Sequence, residues 1–371
     1  MTDTRDDKGS ALQEPCDVIV AGAGPAGIAA ALAAARSGAR TTIIETHGCL
    51  GGVWTAGQLA WIFEGESSSI AVEIADALDA LHARDGEKRY HYSYDIESMK
   101  FLLERLCRDA GVRIRLHTRV VDAVVENGRI TGMITESKSG RERWKANVFI
   151  DCTGDGDLGA FAGCSFDVGG PAGELQPCTL MALVTVKDRA LLKDRISFYN
   201  VHGDPWKHHE VCIRNLMQDF RDTGAEPSYG RPTIFHVRDD LCALMVNHAY
   251  KVSAMNADDI TDATIRARAE IYTLVEKLRA HGGIWAGVTL AATAEQIGVR
   301  EGRRLHGLYT ISTDDLTRGA AFDDGVCTCS YGVDVHSPDP DKDKGLSSMG
   351  VRSRPYQIPY RSLVAKEVKG L

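Results

Sequence analysis

The chain has 371 residues, 44% of them hydrophobic, which is enough to fill a sizeable core in two domains. Its formal net charge of −8 disfavours nucleic acid and acidic membranes as partners, and no basic run interleaved with aromatic residues occurs. The first fifteen residues are polar and charged, so they predict a disordered tail rather than a signal peptide or membrane anchor. Ten scattered cysteines without paired metal-type spacing favour reduced thiols in a cytoplasmic protein.

Directly after residue 15, the sequence predicts a strand, a glycine-rich turn, a helix and a second strand. Residues 16–21 predict a buried strand, an alanine-rich helix is expected to end at Ser37-Gly38, and residues 41–44 predict the next strand. This succession is typical of dinucleotide-binding units. The turn between the first strand and the helix is a G-x-G-x-x-G motif, formed by Gly22, Ala23, Gly24, Pro25, Ala26 and Gly27.

Each position of this motif has a physical role. Gly22 allows the tight turn, Gly24 lets a pyrophosphate approach the backbone, and Gly27 lets helix and strand pack closely. Pro25 suits the first helical turn, whose free N–H groups attract phosphate. Glu45 ends the second strand, where its carboxylate can accept both hydroxyls of a ribose.

Two further motifs narrow the type of dinucleotide. The pair Gly51-Gly52 lies a few residues beyond Glu45, and a T-G-D turn follows a predicted strand at Thr153, Gly154 and Asp155. With residues 297–304, 334–336 and 358–361, these motifs resemble a bacterial FAD-dependent oxidoreductase family. That family is related to the glutathione-reductase and succinate-dehydrogenase flavoproteins, and the resemblance runs from Asp17 to the C-terminus.

The resemblance implies FAD as the cofactor and assigns residues to it. The Gly-Gly pair lets the chain run close to the cofactor, and the T-G-D turn closes the FAD domain. Val120 occupies the place of a strand valine whose main chain contacts adenine in the family. Three residues after the Gly-Gly pair could line the flavin ring or the substrate: Trp54, Thr55 and Gln58.

Patterning along the chain predicts two domains. Helices are expected over residues 67–83 and from Asp95 to Gly111, a strand over residues 112–117, and a three-stranded meander over residues 120–125, 130–135 and 143–149 with Asn127-Gly128 as its first turn. In the second domain, strands are expected over residues 178–186 and 241–247. A helix is expected over residues 262–281, with buried positions at Ala263, Ile265, Ile271, Leu274, Val275 and Leu278.

We therefore predict an α/β protein with a doubly wound, Rossmann-like FAD-binding domain and an inserted α+β substrate domain. The expected boundaries are a tail over 1–15, the FAD domain over 16–162, the substrate domain over 163–291 and a return to the FAD domain over 292–371. In the family that the sequence resembles, one more strand and a long helix follow the Ile-Pro-Tyr-Arg segment. We therefore expect a truncated C-terminus and, for these residues alone, weak FAD binding or aggregation.

Candidate catalytic residues follow from flavin chemistry, which needs a proton-transfer group near the substrate. His336 is the candidate base, since Asp334 shares one face of a strand with it; a structural histidine is the alternative. Arg300, Arg303 and Arg304 could hold an anionic substrate or bind the cofactor. His47 and Cys49 leave covalent flavin attachment open.

No metal site is expected. The acidic run at Asp339, Asp341 and Asp343 lacks the glycine and glutamate of a calcium loop, and the adjacent imidazoles of His208-His209 project in different directions. The close pair Cys327 and Cys329 leaves a redox or metal role open, with free thiols as the preferred interpretation.

These observations predict an enzyme that oxidises a small-molecule C–H donor, such as an alcohol, amine or saturated bond, by hydride transfer to FAD. One alternative is reduction of a double bond by FADH₂. Another is a flavin-bound electron-transfer or assembly subunit without its own substrate. Substrate, electron acceptor and oligomeric state stay open.

Overall fold

The structure is a computed structural model that describes residues 10–66, 68–85, 91–192, 194–199, 201 and 203–371. It contains parallel and antiparallel sheets with helices packed on them. The strands, in chain order, are β1 (Ala11–Leu12), β2 (Cys16–Ala21), β3 (Thr41–Ile44), β4 (Trp61–Phe63), β5 (Arg84–Asp85), β6 (His91–Tyr94), β7 (Arg113–Arg115), β8 (Arg119–Glu126), β9 (Arg129–Ser137), β10 (Gly140–Trp144), β11 (Ala146–Asp151), β12 (Phe166–Val168), β13 (Ala182–Thr185), β14 (Thr233–Arg238), β15 (Leu241–Met245), β16 (Thr289–Thr293), β17 (Arg303–Leu305), β18 (Gly325–Cys329), β19 (Val335–His336), β20 (Leu346–Ser347) and β21 (Tyr356–Pro359).

The helices connect and cover these sheets. Among the described residues, none of them combines the length and apolar character needed to cross a bilayer. In chain order they are α1 (Pro25–Arg36), α2 (Ser69–Ala80), α3 (Ile96–Asp109), α4 (Asp157–Phe161), α5 (Pro205–Asp222), α6 (Ala257–His281) and α7 (Thr313–Arg318), with short 3-10 helices at Gly52–Trp54, Arg189–Leu192, Gly283–Trp285 and Tyr360–Leu363.

A parallel sheet carries the glycine-rich turn. Its strand order is β11-β2-β3-β7, the arrangement of a doubly wound nucleotide-binding sheet. Helix α1 crosses from β2 to β3 and ends at Ser37, where Gly38 takes a positive φ of 92° that suits glycine. The predicted strands at residues 16–21 and 41–44 and the α/β fold class are confirmed.

Two capped helices lie between the glycine-rich turn and β7. The Ser68 hydroxyl accepts the Ala71 N–H at the start of α2, and the Asp95 carboxylate accepts the Ser98 N–H at the start of α3. Both predicted helices are therefore confirmed within a few residues of their ends, although Ser67 lies outside the described residues.

The antiparallel meander differs from the prediction in its third strand. The Asn127-Gly128 hairpin is confirmed, since both residues have positive φ and Glu126 pairs with Arg129. However, the segment predicted as one strand over residues 143–149 is split at Lys145. Strand β10 ends there with the buried Trp144, whereas β11 turns away to pair with β2. The prediction failed because one continuous segment, without a turn residue such as glycine or proline, serves two sheets.

The predicted disordered tail is also partly wrong. Residues 1–9 lie outside the described residues, but Ala11 and Leu12 pair in parallel with β10. The Gln13 amide additionally donates a hydrogen bond to the buried Glu142 carboxylate at 2.7 Å. A polar composition concealed these contacts because they are made largely by the backbone.

The second antiparallel sheet has the order β14-β15-β13-β16. Only Ala182–Thr185 of the strand predicted over residues 178–186 is a ladder strand; Cys178 and Thr179 instead form isolated bridges to Ala249 and Gly298. Helix α6 begins at Ala257, five residues earlier than predicted, because Asn256 caps it. Ile265 is 57% exposed and was wrongly predicted to be buried.

One hydrophobic core runs beneath both regions. It joins Val20 and Ile43 of the parallel sheet to Leu244 of the second sheet and Leu274 of α6. A smaller core lies under the meander and includes Ile130 and Trp144. The parallel sheet and the second antiparallel sheet thus share one apolar core, and the division of the chain into two domains stays a prediction.

Candidate flavin-binding site

A cleft of about 600 Å³ opens at the carboxyl ends of β2, β3 and β11. Ligands of doubly wound sheets bind at this edge. One wall comes from the parallel sheet and its loops, and the other from α6 and the segment that follows β16. Ala254, which precedes α6, also lines this wall, and the residues contributed by α6 and that segment are Ile260, Thr264, Glu295, Gln296, Ile297 and Val299.

The glycine-rich turn forms the floor of this cleft. A Cβ on Gly22 would lie 2.2 Å from the Cys152 carbonyl oxygen, and one on Gly27 would lie 2.0 Å from the Gly22 carbonyl oxygen. Gly24 has no atom within 4 Å of such a Cβ, because that side faces the cleft. No side chain caps α1 after Gly24, so its first N–H groups are open to an anionic group.

The Gly51-Gly52 pair packs directly on this turn. The Gly51 N–H donates to the Ala23 carbonyl at 2.7 Å, and both glycines have positive φ. A Cβ on Gly52 would lie 2.9 Å from the Gly24 Cα. Side chains at this pair would therefore push it away from the glycine-rich turn. They would also take up space in the cleft that Gly52 lines.

Glu45 lines the cleft at the end of β3 and is 5% exposed. Its two carboxylate oxygens accept the backbone N–H groups of Ala23 and His47, at 2.7 and 2.8 Å. A carboxylate has about four lone-pair positions, so two remain for ligand hydroxyls. The side chain is thereby fixed in the orientation that the predicted ribose contact needs.

The T-G-D turn is held by a compact hydrogen-bond network. One oxygen of Asp151 accepts the N–H and the hydroxyl of Thr153, and the Thr153 hydroxyl accepts the Asp157 N–H. Burial, followed by the charge of Asp157, raises the pKa of Asp155. Thr153, Gly154 and Asp155 all line the cleft.

Arg303 and Arg304, two of the three arginines predicted near the substrate, are engaged with protein groups. Arg303 donates to the Asp155 carbonyl and pairs with the Asp157 carboxylate at 2.8 Å, so it supports the T-G-D turn. Arg304 pairs with Glu301 and donates to the Gly169 carbonyl. Their proposed contact with substrate stays a prediction.

Val53 lines the cleft directly after the Gly-Gly pair, whereas Trp54, Thr55 and Gln58 are not among the lining residues. Thr55 is 1% exposed and donates its hydroxyl to the Leu50 carbonyl, while the Trp54 carbonyl accepts the Tyr94 hydroxyl. The Gln58 side-chain oxygen is buried without a partner among the described residues. The structure thus places these three side chains in the packing behind the cleft.

Val120 lines the cleft as predicted, beside Thr118 and Arg119. Sequence reasoning did not foresee the wall from α6, where Ile260 lines the cleft. The return of residues 292–371 to the FAD domain was predicted, and Val299 of that segment lines the cleft, although it was not singled out as a site residue. His47 was considered only for covalent attachment; here it lines the cleft, with its Nδ1 atom 3.4 Å from the Glu295 carboxylate.

His336 lies outside the cleft lining, in a buried group of aromatic side chains. Its Nδ1 atom is 3.2 Å from Nε2 of His248, and His248 contacts the Tyr250 hydroxyl and the Tyr229 ring. Burial, followed by the charges of two arginines, lowers the pKa of His336 to about 3. Burial likewise lowers the pKa of His248 to about 2, so both rings are neutral at pH 7.

The described part of the chain contains no cluster of three or more metal-ligating side chains. All ten cysteines lie in the described residues and none of them forms a disulfide; most are at least partly buried. Cys327 and Cys329 lie on β18, with Cys327 exposed.

The cleft fits an FAD molecule through features of the chain itself. It has an open glycine floor for a pyrophosphate, a fixed carboxylate for a ribose and a strand edge for adenine. Residues 17–371 match the family described as FAD dependent oxidoreductase. The chain belongs to that family. FAD dependent oxidoreductases use FAD as their cofactor, and the cleft is the candidate site for it.

Two curated relatives of this FAD dependent oxidoreductase each match less than half of the chain. Digeranylgeranylglycerophospholipid reductase 2 of Methanopyrus kandleri is 29% identical over 164 residues, which cover 40% of this chain and 40% of that protein. Thiamine thiazole synthase of Aeropyrum pernix is 33% identical over 119 residues, covering 32% and 43% respectively. The chain thus spans less than half the length of these relatives.

Among solved structures, the myxobacterial chondrochloren halogenase CndH, a variant of FAD-dependent halogenases, has a TM-score of 0.50 and 14% identity. The similarity covers 80% of this chain and 67% of that one. At this identity it supports the fold alone.

Proposed function

We propose that this protein oxidises a small-molecule C–H donor, such as an alcohol, an amine or a saturated bond. FAD supplies a hydride acceptor at its N5 atom. The observation that carries the proposal is that one wall of the cleft belongs to the nucleotide-binding sheet and the other to the region following β12. We propose that residues 163–291 form the substrate domain, so that cofactor and substrate meet between these walls.

The chain's own residues would bind and orient the cofactor. The N–H groups at the start of α1 would hold the pyrophosphate, and Glu45 would accept the ribose hydroxyls. The main chain at Val120 would contact adenine, and Asp155 at the T-G-D turn would contact the ribityl part. Gln296 and Val299 line the other end of the cleft, where they would exclude water from the ring.

We propose His336 as the group that takes a proton from the substrate. It is neutral at pH 7, which is the form that a base requires. Its low pKa makes it a weak base in the free protein, and Arg300 and Arg231 contribute to that low value. A substrate anion that offsets these charges would raise the basicity of His336 on binding.

Reduction of a double bond is the second candidate function. The reductase from Methanopyrus kandleri, which matches 40% of this chain, favours this direction. An electron-transfer or assembly role without a substrate is the candidate from another class. We also propose kinship to the glutathione-reductase and succinate-dehydrogenase flavoproteins and a cytoplasmic location. Neither proposal favours one of the three candidate functions over the others.

The purified protein is first saturated with FAD and freed of unbound cofactor. Denaturing it should then release FAD. Metabolites that raise the melting temperature of the loaded protein are then mixed with it without oxygen. Oxidation of a C–H donor predicts loss of the oxidised flavin's colour on mixing. A reductase instead predicts return of that colour when the pre-reduced protein meets an unsaturated compound.

The variant His336→Gln separates chemistry from binding. It should keep the flavin spectrum and the shift in melting temperature but lose most of the bleaching. Bleaching of the His336→Gln variant at the wild-type rate would show that His336 has only a structural role. Absence of both bleaching and recolouring across a broad metabolite set would favour the electron-transfer role.

A further inference from the structure

Five polar groups lie in a row through the buried histidine pair. The Tyr250 hydroxyl lies 3.4 Å from the Ser228 carbonyl oxygen and 3.2 Å from Nδ1 of His248. Nε2 of His248 lies 3.2 Å from Nδ1 of His336. At the far end, Nε2 of His336 lies 3.7 Å from one oxygen of the Asp334 carboxylate. The row of five groups therefore contains four gaps, each between two polar atoms.

Packing and main-chain hydrogen bonds fix the two imidazole rings of this row. Both histidines are buried, and the Tyr229 ring packs on His248 with centroids 4.1 Å apart. The His248 N–H donates to the Ser228 hydroxyl, and the His336 N–H donates to the Gln176 side-chain oxygen, both at 2.9 Å. The rings therefore keep their neighbours, and a buried ring N–H without an acceptor would be costly.

The two ends of the row can only accept hydrogen bonds. At one end is the Ser228 carbonyl, in a residue whose N–H and hydroxyl both donate to the Glu270 carboxylate of α6, at 2.7 and 2.8 Å. At the other end is the Asp334 carboxylate, whose second oxygen accepts the Tyr331 hydroxyl at 3.2 Å. A carbonyl oxygen and an ionised carboxylate have no proton to donate, so every proton in the row comes from the three groups between them.

These three groups supply three protons for four gaps. The Tyr250 hydroxyl has one proton, and each neutral imidazole carries one ring N–H. Burial lowers the pKa of His336 to about 3 and that of His248 to about 2, so both rings are neutral at pH 7. One gap must therefore lack a hydrogen bond. The gap of 3.7 Å between His336 and Asp334 is the widest of the four and exceeds hydrogen-bonding distance, so it is the empty one.

The direction of the other three bonds follows from this empty gap. The Tyr250 hydroxyl donates to the Ser228 carbonyl, so its oxygen accepts Nδ1–H of His248. Nε2 of His248 then has no proton and must accept Nδ1–H of His336. The nitrogen left without a proton is Nε2 of His336, which lies on the side of the half-exposed Asp334.

We propose that Tyr250 and His248 are positioning residues that hold His336 in its Nδ1–H tautomer, with Nε2 free to take a proton. This inference rests on the proposed function only for the statement that the proton comes from the substrate. The substrate then loses a proton to Nε2 and a hydride to FAD, so it is oxidised by two electrons. The imidazolium that forms can donate across the fourth gap to the Asp334 carboxylate, which stabilises the new charge.

The test is NMR spectroscopy of the FAD-loaded protein with ¹⁵N-labelled histidine at pH 7. A protonated and a bare ring nitrogen differ in chemical shift, and Nε2 is recognised by its coupling to both carbon-bound ring protons. The signals of His336 are those that disappear in His336→Gln. We expect Nε2 of His336 to be bare, with the Nδ1–H form in roughly tenfold excess, the ratio that about one net hydrogen bond gives. A predominantly bare Nδ1 in the wild-type protein overturns the proposal.

Two variants test whether the row sets this tautomer. Tyr250→Phe removes only a hydroxyl, and with it the acceptor for Nδ1–H of His248. His248 can then donate from Nε2 to His336, so the Nε2–H form of His336 should become at least as populated as the Nδ1–H form. His248→Phe removes the partner of His336 itself and should have the same effect. Tyr272→Phe, at an exposed tyrosine of α6, is the matched control and should leave the His336 signals unchanged.

An unchanged tautomer ratio in both Tyr250→Phe and His248→Phe overturns the positioning role. Bleaching of the flavin by a substrate is measured separately in the same variants, and its rate should fall while the oxidised flavin spectrum stays that of wild type. A shifted tautomer with bleaching at the wild-type rate would confirm the positioning of His336 and refute its role as the base. The two proposals can therefore fail independently.

Discussion

The Glu45 carboxylate accepts the backbone N–H of Ala23 at 2.7 Å and thereby ties the end of β3 to the turn after β2. The second oxygen holds the His47 N–H, so the start of the following loop is fixed as well. The residue proposed to bind the ribose is therefore also a structural tie within the apoprotein. Substitutions here act on the shape of the cleft and on ligand contact together.

Glu45→Gln should weaken FAD binding by roughly 1.5–3 kcal/mol, the range for a hydrogen bond to a charged group. An amide presents an NH₂ group to one of the two backbone donors, so one tie is lost along with the charge. FAD affinity is measured by fluorescence titration. Glu136→Gln, at an exposed glutamate of β9, is the control. Unchanged affinity in Glu45→Gln would show that another residue holds the ribose.

Gly24 and Gly22 should respond differently to alanine although they belong to one motif. A Cβ on Gly24 meets no protein atom, so Gly24→Ala should fold normally and lose at least tenfold in FAD affinity; Gly24→Val should abolish loading. Gly22 has a φ of 93° and would place its Cβ against the Cys152 carbonyl, so Gly22→Ala should destabilise the apoprotein itself. Melting temperature without FAD and FAD titration separate the two effects. Normal FAD binding by Gly24→Ala would contradict the pyrophosphate assignment.

The nucleotide-binding half was predictable because its signals are local. Strand β2, the glycine turn, α1, β3 and Glu45 are consecutive, and each position has a backbone reason for its residue type. The contribution of α6 to the far wall was not predictable, since Ile260 reaches the cleft only through tertiary packing. Val299 lies in the segment 297–304, whose resemblance to the family had already linked that segment to the FAD domain. Ile265 shows the same limit, because helical spacing cannot tell which apolar position faces solvent when the stripe is broad.

The sequence alone also does not show which residues of a loop face the cleft and which face the protein interior. Val53 directly follows the Gly-Gly pair and lines the cleft, whereas the Thr55 hydroxyl and the Trp54 carbonyl make hydrogen bonds to Leu50 and Tyr94 instead. The expectation that a further strand and helix follow the Ile-Pro-Tyr-Arg segment stays a prediction.

Arg303→Met should loosen the T-G-D turn. The substitution removes the ion pair with Asp157 and the bond to the Asp155 carbonyl while keeping an aliphatic side chain. We expect weaker FAD binding and a lower melting temperature, measured by FAD titration and thermal unfolding. Arg304→Met, which removes an ion pair to Glu301 outside the turn, provides the comparison. FAD affinity and melting temperature equal to those of wild type in Arg303→Met would contradict this role of Arg303.

The buried histidines should make the protein less stable as the pH falls. In the folded protein the pKa of His336 is about 3, and an unfolded histidine titrates near 6.5. Between these values the unfolded chain takes up a proton that the folded chain does not, so unfolding is favoured. This contribution to stability is complete above pH 6.5 and is lost progressively toward pH 3, by at most about 1.4 kcal/mol per pH unit per histidine.

The variant His336→Gln should therefore lose less stability than wild type between pH 6.5 and pH 4.5. Its neighbours His248, Arg300, Arg231 and Asp334 remain, so the difference between the two slopes isolates one proton. Urea unfolding at several pH values measures it, and residual hydration of the cluster reduces the slope difference below its maximum. His281→Gln, at an exposed histidine ending α6, should follow the wild-type slope because that imidazole is hydrated in both states. Parallel slopes for wild type and His336→Gln would show that His336 protonates as readily in the folded protein as in the unfolded chain.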